Sequence, residues 1–128
     1  MLIQKSIKHQ IELNAIDEDG RTGFHIACTD ANLKLVEIFL DKSLEFNIDL
    51  NSKDDEGRTP FHWACIGFSK DRLRMIELMM ERSDKLNIEF DIKDNNGMAP
   101  IDFARSFGNF ELVYVLMQKL PKKRKKYR

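Results

Sequence analysis

Two pairs of residues have the types and spacing that metal binding uses. His25 with Cys28, and His62 with Cys65, each form an H-x-x-C run. A structural zinc ion needs four such ligands converging at about 2.0–2.3 Å. The acidic runs Asp17–Glu18–Asp19 and Asp54–Asp55–Glu56 are the next candidates, because neighbouring carboxylates can divide acid and base work. No serine sits in a nucleophile elbow, no glycine-rich loop joins a strand to a helix, and no H-E-x-x-H occurs. Whether any of these groups does chemistry depends on what positions them.

A repeat positions them. "DEDGRTGFHIAC", residues 17–28, returns as "DDEGRTPFHWAC", residues 54–65, and a worn third copy, "DNNGMAPIDFARSFGN", occupies residues 94–109. Gly20, Gly57 and Gly97 mark the copies at spacings of 37 and 40 residues. Periods of this size mean stacked supersecondary units. Each unit reads as turn, short helix, longer helix. Asp and Gly supply turn chemistry, Thr22 and Thr59 the N-cap hydroxyl, and Pro60 the first helical residue. Leu33, Val36 and Leu40, like Leu73, Ile76 and Met80, are spaced to give each longer helix one apolar face. Lys34, Glu37, Arg74 and Glu77 fall on the other.

The run Asp54, Gly57, Thr59, Pro60, Phe61, His62, Ala64 followed by two helices resembles the ankyrin repeat. The first copy departs from that pattern at Gly23, where the family has Pro, and the third replaces Thr with Ala99 and His with Asp102, so its turn should be less firmly capped. The resemblance implies an all-α solenoid of stacked helix-turn-helix units joined by short hairpin-like loops. It divides the chain into a helix stub at 1–13, repeats at 14–50, 51–90 and 91–120, and a tail at 121–128.

The family period is about 33, and four of the extra residues lie after Phe39–Leu40 and again after Met79–Met80. Four residues are about one helical turn, so the simplest expectation lengthens the second helix through "DKSLEF" and "ERSDKLN". Three more, in "GFSKDR", enlarge one loop of the second repeat. The chain opens at the end of a second helix whose partner is absent. A piece of a longer array is preferred to a reduced cap, because Leu2, Ile3, Ile7 and Ile11 offer little of the polar outer face a terminal repeat needs.

Stacked helices lie about 8–10 Å apart, too far for both H-x-x-C pairs to share one tetrahedron. The expectation is a histidine bonded near its turn and a cysteine packed like a small apolar residue, with no metal and no other cofactor. The acidic runs are placed on exposed turns with little-perturbed carboxyls, so no catalysis is expected. What the resemblance implies instead is a partner protein or peptide held on a concave face of loop tips and first helices. Carried over, that face is Glu18, Asp19, Arg21, Thr29 and Asp30, then Asp55, Glu56, Arg58 and Ile66, then Asn95, Asn96, Met98, Ser106 and Phe107. The loop Phe68–Arg72 blurs the correspondence just after Ile66. The tips grade from acidic to neutral, which either suits a basic partner or only keeps the array soluble. Trp63 shares its slot with Ile26 and Phe103 and is expected to pack between repeats, with binding a lesser role. Asn14 and Asn51 stand where similar proteins carry an asparagine that a dioxygenase can hydroxylate, and Asp91 stands there in the third copy; a turn asparagine bonded to backbone is the preferred reading.

The formal net charge of zero hides a split: residues 121–128, "PKKRKKYR", hold six of the 21 Lys and Arg. Lys122, Lys123, Arg124, Lys125, Lys126 and Arg128 read as an import signal, a weak polyanion patch or a solvated tail. The charge split also allows the tail to fold back onto the acidic turns and mask the groove. Sequence-specific nucleic-acid binding is not expected from a segment whose one aromatic is Tyr127. No run approaches the roughly 18 apolar residues of a membrane span, and two cysteines at equivalent repeat positions argue for a reducing compartment, cytoplasm or nucleus. The protein is expected to act as a monomer.

Overall fold

A computed structural model describes residues 14–119; the expected helix stub at 1–13 and the basic tail at 121–128 lie outside them. The described chain forms α1 (Gly23–Thr29), α2 (Leu33–Lys42), α3 (Pro60–Ala64), α4 (Lys70–Glu81), α5 (Ser83–Leu86), α6 (Pro100–Ser106) and α7 (Phe110–Lys119), with no strand among the described residues. The short helices α1, α3 and α6 stack side by side as one layer, and α2, α4 and α7 pack behind them.

Local chemistry starts each helix where the residues indicate. Thr22 Oγ1 accepts the His25 backbone N–H at 3.2 Å, and His25 Nδ1 accepts the Thr22 N–H at 3.0 Å. Thr59 and His62 make the same reciprocal pair. In the third unit only half of the side-chain device survives: the Asp102 carboxylate accepts the Ala99 N–H at 2.8 Å, while the Asp102 N–H turns to the Ala99 backbone carbonyl at 2.9 Å, since alanine has no side-chain oxygen. The longer helices are capped by Asn32, Ser69 and Asn109, each accepting an N–H three residues on. Val36, Phe39 and Leu40, then Met75, Ile76, Met79 and Met80, then Leu112, Val113 and Leu116, join Phe24, Phe61 and Phe103 in one continuous core. A single unit would leave those faces wet.

The extra turn is present but does not prolong the second helix. α2 stops at Lys42 and α4 at Glu81. The hydroxyls of Ser43 and Ser83 bond back to the carbonyls of Leu40 and Met80 at 2.9 and 2.8 Å, which competes with the regular ladder. A separate turn follows each time. It closes on Asn47 (φ 55°) or Asn87 (φ 57°), with the N–H of Ile48 or Ile88 bonded five residues back to Ser43 or Ser83. That is a left-handed asparagine cap followed by a buried apolar residue.

Candidate binding face

The turns that precede the short helices are built alike. One carboxylate oxygen of Asp17 accepts the N–H groups of Asp19 and Arg21, that of Asp54 those of Glu56 and Arg58, and that of Asp94 those of Asn96 and Met98, all at 2.9 Å. The turns then stack on each other. Asp55 N–H donates to the Asp19 carbonyl and Asn95 N–H to the Glu56 carbonyl, both at 2.9 Å. Gly20 and Gly57 therefore lie against the next turn, and the three glycines follow a common edge.

Each motif histidine locks its turn to the next. His25 Nε2 donates to the Arg58 carbonyl and His62 Nε2 to the Met98 carbonyl, at 2.9 Å each. Since those carbonyls only accept, Nδ1 is the unprotonated nitrogen that receives the threonine N–H. Burial pushes both imidazoles below their ordinary pKa. Both ring nitrogens are thus committed to protein partners, and burial pushes the Cys28 and Cys65 thiols far up. Inert thiols and occupied imidazoles make a packing and bonding set. Among the described residues no three His, Cys, Asp or Glu side chains gather to hold an ion.

The acidic runs are not uniformly exposed, contrary to the sequence expectation. Asp54 is buried, because its second oxygen accepts the Trp63 indole N–H at 2.9 Å. The Arg21 N–H leads the contacts that hold Asp17 below the ordinary carboxyl range. Asp94 is buried too. Burial would raise it, but the N–H groups of Met98 and Asn96 and the Arg58 guanidinium, at 3.3 Å, outweigh that and keep it low.

Above these turns runs a cation–aromatic ladder that crosses all three units. The Arg21 guanidinium lies 5.7 Å from the Trp63 ring, Arg58 lies 5.4 Å from it, and Arg58 lies 4.9 Å from Phe103. Such contacts contribute on the order of 0.5–2 kcal/mol each. Trp63 therefore packs between repeats as expected, while staying half-exposed at a cavity of about 270 Å³ lined by Asp19, Arg21, Asp54, Asp55, Glu56 and Trp63.

The expected site residues divide by exposure. Glu18, Asp19, Asp30, Asp55, Glu56, Asn95, Asn96, Ser106 and Phe107 are exposed, and Arg21, Arg58 and Thr29 half-exposed. Ile66 and Met98 differ: both pack against the core, so less of each is open to a partner. Asn14 and Asn51 each tie the start of their own unit to its end. Asn51 donates to the Asn87 carbonyl at 2.8 Å and accepts the Glu89 N–H at 3.0 Å; Asn14 does the same, more loosely, with Asn47 and Asp49.

Sequence reasoning missed Arg72. The three-residue insertion was placed in a loop through Arg72, but α4 begins at Lys70 and Arg72 turns inward. Its guanidinium donates to the carbonyls of Cys28, Trp63 and Ala64 at 3.1–3.2 Å and of Thr29 at 2.8 Å. It thereby caps the ends of both α1 and α3, where a cation is favoured. A Cβ at Gly67 would meet Arg72 Nε at 2.6 Å, so the glycine makes room for it. No spacing rule marks one arginine of a polar loop as buried.

The family model described as ankyrin repeats (three copies) matches residues 2–89 and 44–127. No curated protein matches the chain. This chain belongs to the ankyrin-repeat family.

Proposed function

We propose that the protein is a non-catalytic scaffold whose turn tips and short helices α1, α3 and α6 form a concave face for a partner protein or peptide. Ankyrin repeats in general mediate protein–protein interaction; the finer assignment is to Glu18, Asp19, Arg21, Asp55, Glu56, Arg58, Asn95 and Asn96 around the indole of Trp63. The observation that carries it is the cavity of about 270 Å³ whose lining has four carboxylates to one guanidinium. Negative potential focused in such a recess favours a basic partner and speeds its encounter. Repeats at 14–50, 51–90 and 91–120 are part of the same proposal.

Photo-crosslinking tests it. A benzophenone amino acid at Asn96, on the turn face, should capture a partner from a cell extract, and the same group at Lys34, on the outer helix, should not. Equal capture from both positions would remove the assignment.

A further inference from the structure

We infer that the edge of this face remote from the turn tips is a second anchor, which takes an aromatic or aliphatic side chain of the same partner segment whose lysine or arginine meets the carboxylates at the tips. The inference rests on the binding-face reading above and adds the chemistry of what is bound.

The edge is made by the two loops that join α3 to α4 and α6 to α7. Asn109 Nδ2 donates to the Gly67 carbonyl at 2.8 Å, so the loops are tied together. Three phenylalanines flank that bond, and each is open to solvent: Phe68 is 65% exposed, Phe107 49% and Phe110 72%. A lone exposed apolar residue is ordinary, but Phe68 and Phe107 on two bonded loops, with Phe110 opening α7 next to Asn109, bring exposed aromatics to one edge. The patch is local. The equivalent loop of the first unit, residues 30–32, has no large apolar side chain, Leu33 in the place of Phe110 packs against the core, and Phe68 belongs to the insertion peculiar to the second unit.

The loop that carries Phe68 is also braced. Arg72 lies against Gly67 and bonds four carbonyls, and Ser69 caps α4. An aromatic on a fixed support loses little freedom when a partner covers it.

Charge selects the occupant. At the tips, Asp54 is consumed by internal bonds, while Asp19 and Glu56 take an arginine of their own. Among the described residues no lysine or arginine pairs with Asp55. A polyanion would be repelled here, whereas a protein segment with one cation and one apolar group satisfies both ends. The short helices between the ends have five to seven residues, about 8–10 Å of helix. An extended segment advancing about 3.3 Å per residue therefore places its two anchors about three residues apart.

The test is a selection of phage-displayed random 16-residue peptides on the full chain, followed by fluorescence polarisation with one selected peptide and its basic→Ala and apolar→Ala versions. Selected sequences should pair Lys or Arg with Phe, Tyr, Trp, Leu or Ile at that spacing. Phe68→Ser with Phe107→Ser should weaken the selected peptide tenfold or more and leave the apolar→Ala peptide unchanged. Asp55→Asn with Glu56→Gln should weaken it, flatten its salt dependence, and leave the basic→Ala peptide unchanged. If the serine pair stays within twofold of the parent while the amide pair weakens binding, the second anchor is wrong and the turn face stands. If neither pair alters binding, both readings fall together. All four positions are exposed, so circular dichroism should show every variant folded as the parent.

Discussion

His25 and His62 each trade water for a threonine N–H on one nitrogen and a carbonyl of the next unit on the other. Protonating Nδ1 would set a donor against a donor, which agrees with the burial-lowered pKa. The unfolded chain, with an ordinary pKa near 6.5, then binds more protons than the folded one just below that pH. Stability should be full above about pH 6.5 and drain as pH falls toward the lower folded values. Asp17 and Asp94 should add a second loss below about 3.8, since they are held low in the folded state. Urea midpoints followed by Trp63 fluorescence from pH 7.5 to 3 should show two steps, and His25→Gln with His62→Gln should erase the upper one. Glycines separate in the same way. Gly57 (φ 77°) lies where a Cβ would come within 2.9 Å of the Asn95 backbone nitrogen, whereas Gly97 (φ 80°) faces open space. Gly97→Ala should cost only the left-handed backbone penalty of about 1–2 kcal/mol. Gly57→Ala adds a clash with backbone and should cost about 2–4 kcal/mol by urea denaturation.

At the scale of the element, the departure of the first copy from the ankyrin pattern has a steric cause. Gly23 opens α1 where Pro60 and Pro100 open α3 and α6. Its backbone suits proline: Thr22 is extended, as a residue before proline must be, and the first helical N–H needs no partner. What forbids it is Phe39, whose ring would lie 3.1 Å from a Cβ at Gly23. The other units carry Met79 and Leu116 in that place, which are slimmer. Gly23→Pro should therefore destabilise by about 1–3 kcal/mol alone and be neutral or stabilising beside Phe39→Met. A double-mutant cycle measures this coupling, and strict additivity would contradict it. The turn before α2 is the converse case. Ala31 holds φ 53° where the third unit has Gly108 at 74°, so Ala31→Gly should raise the urea midpoint by relieving about 1 kcal/mol of strain.

For the whole molecule, the units cohere through two edges and the core between them. The turn edge is joined by backbone bonds and the histidine bridges, and the opposite edge by Arg72 between the first two units and by Asn109 between the last two. Repeat arrays derive stability from such nearest-neighbour contacts. Arg72→Met would remove the charged donor that four helix-end carbonyls share and should cost about 2–4 kcal/mol. Arg72→Lys should recover little, because one ammonium has three donors and no planar fork. If the bridge couples units as its geometry implies, native-state hydrogen exchange in Arg72→Met should show α1 opening more readily than α6.

Much of this was legible from the residues alone. The thrice-written turn, the threonine caps, the proline starts and the apolar stripes of the longer helices are local devices, each satisfied by neighbours a few positions away, and they specify a stack of helical pairs. The fate of a charge was not legible in the same way. Arg72 and Asp94 sit in polar runs, and only the approach of a neighbouring unit, with its carbonyls or its guanidinium, decides that burying them is favourable. The separate turns at Asn47 and Asn87 escaped notice for a related reason, since a serine hydroxyl competing with a helix ladder depends on which carbonyl lies within reach. Local sequence determined the units. Packing of one unit on the next decided which side chains face the solvent, and hence that carboxylates stand at one end of the short-helix layer and phenylalanines at the other.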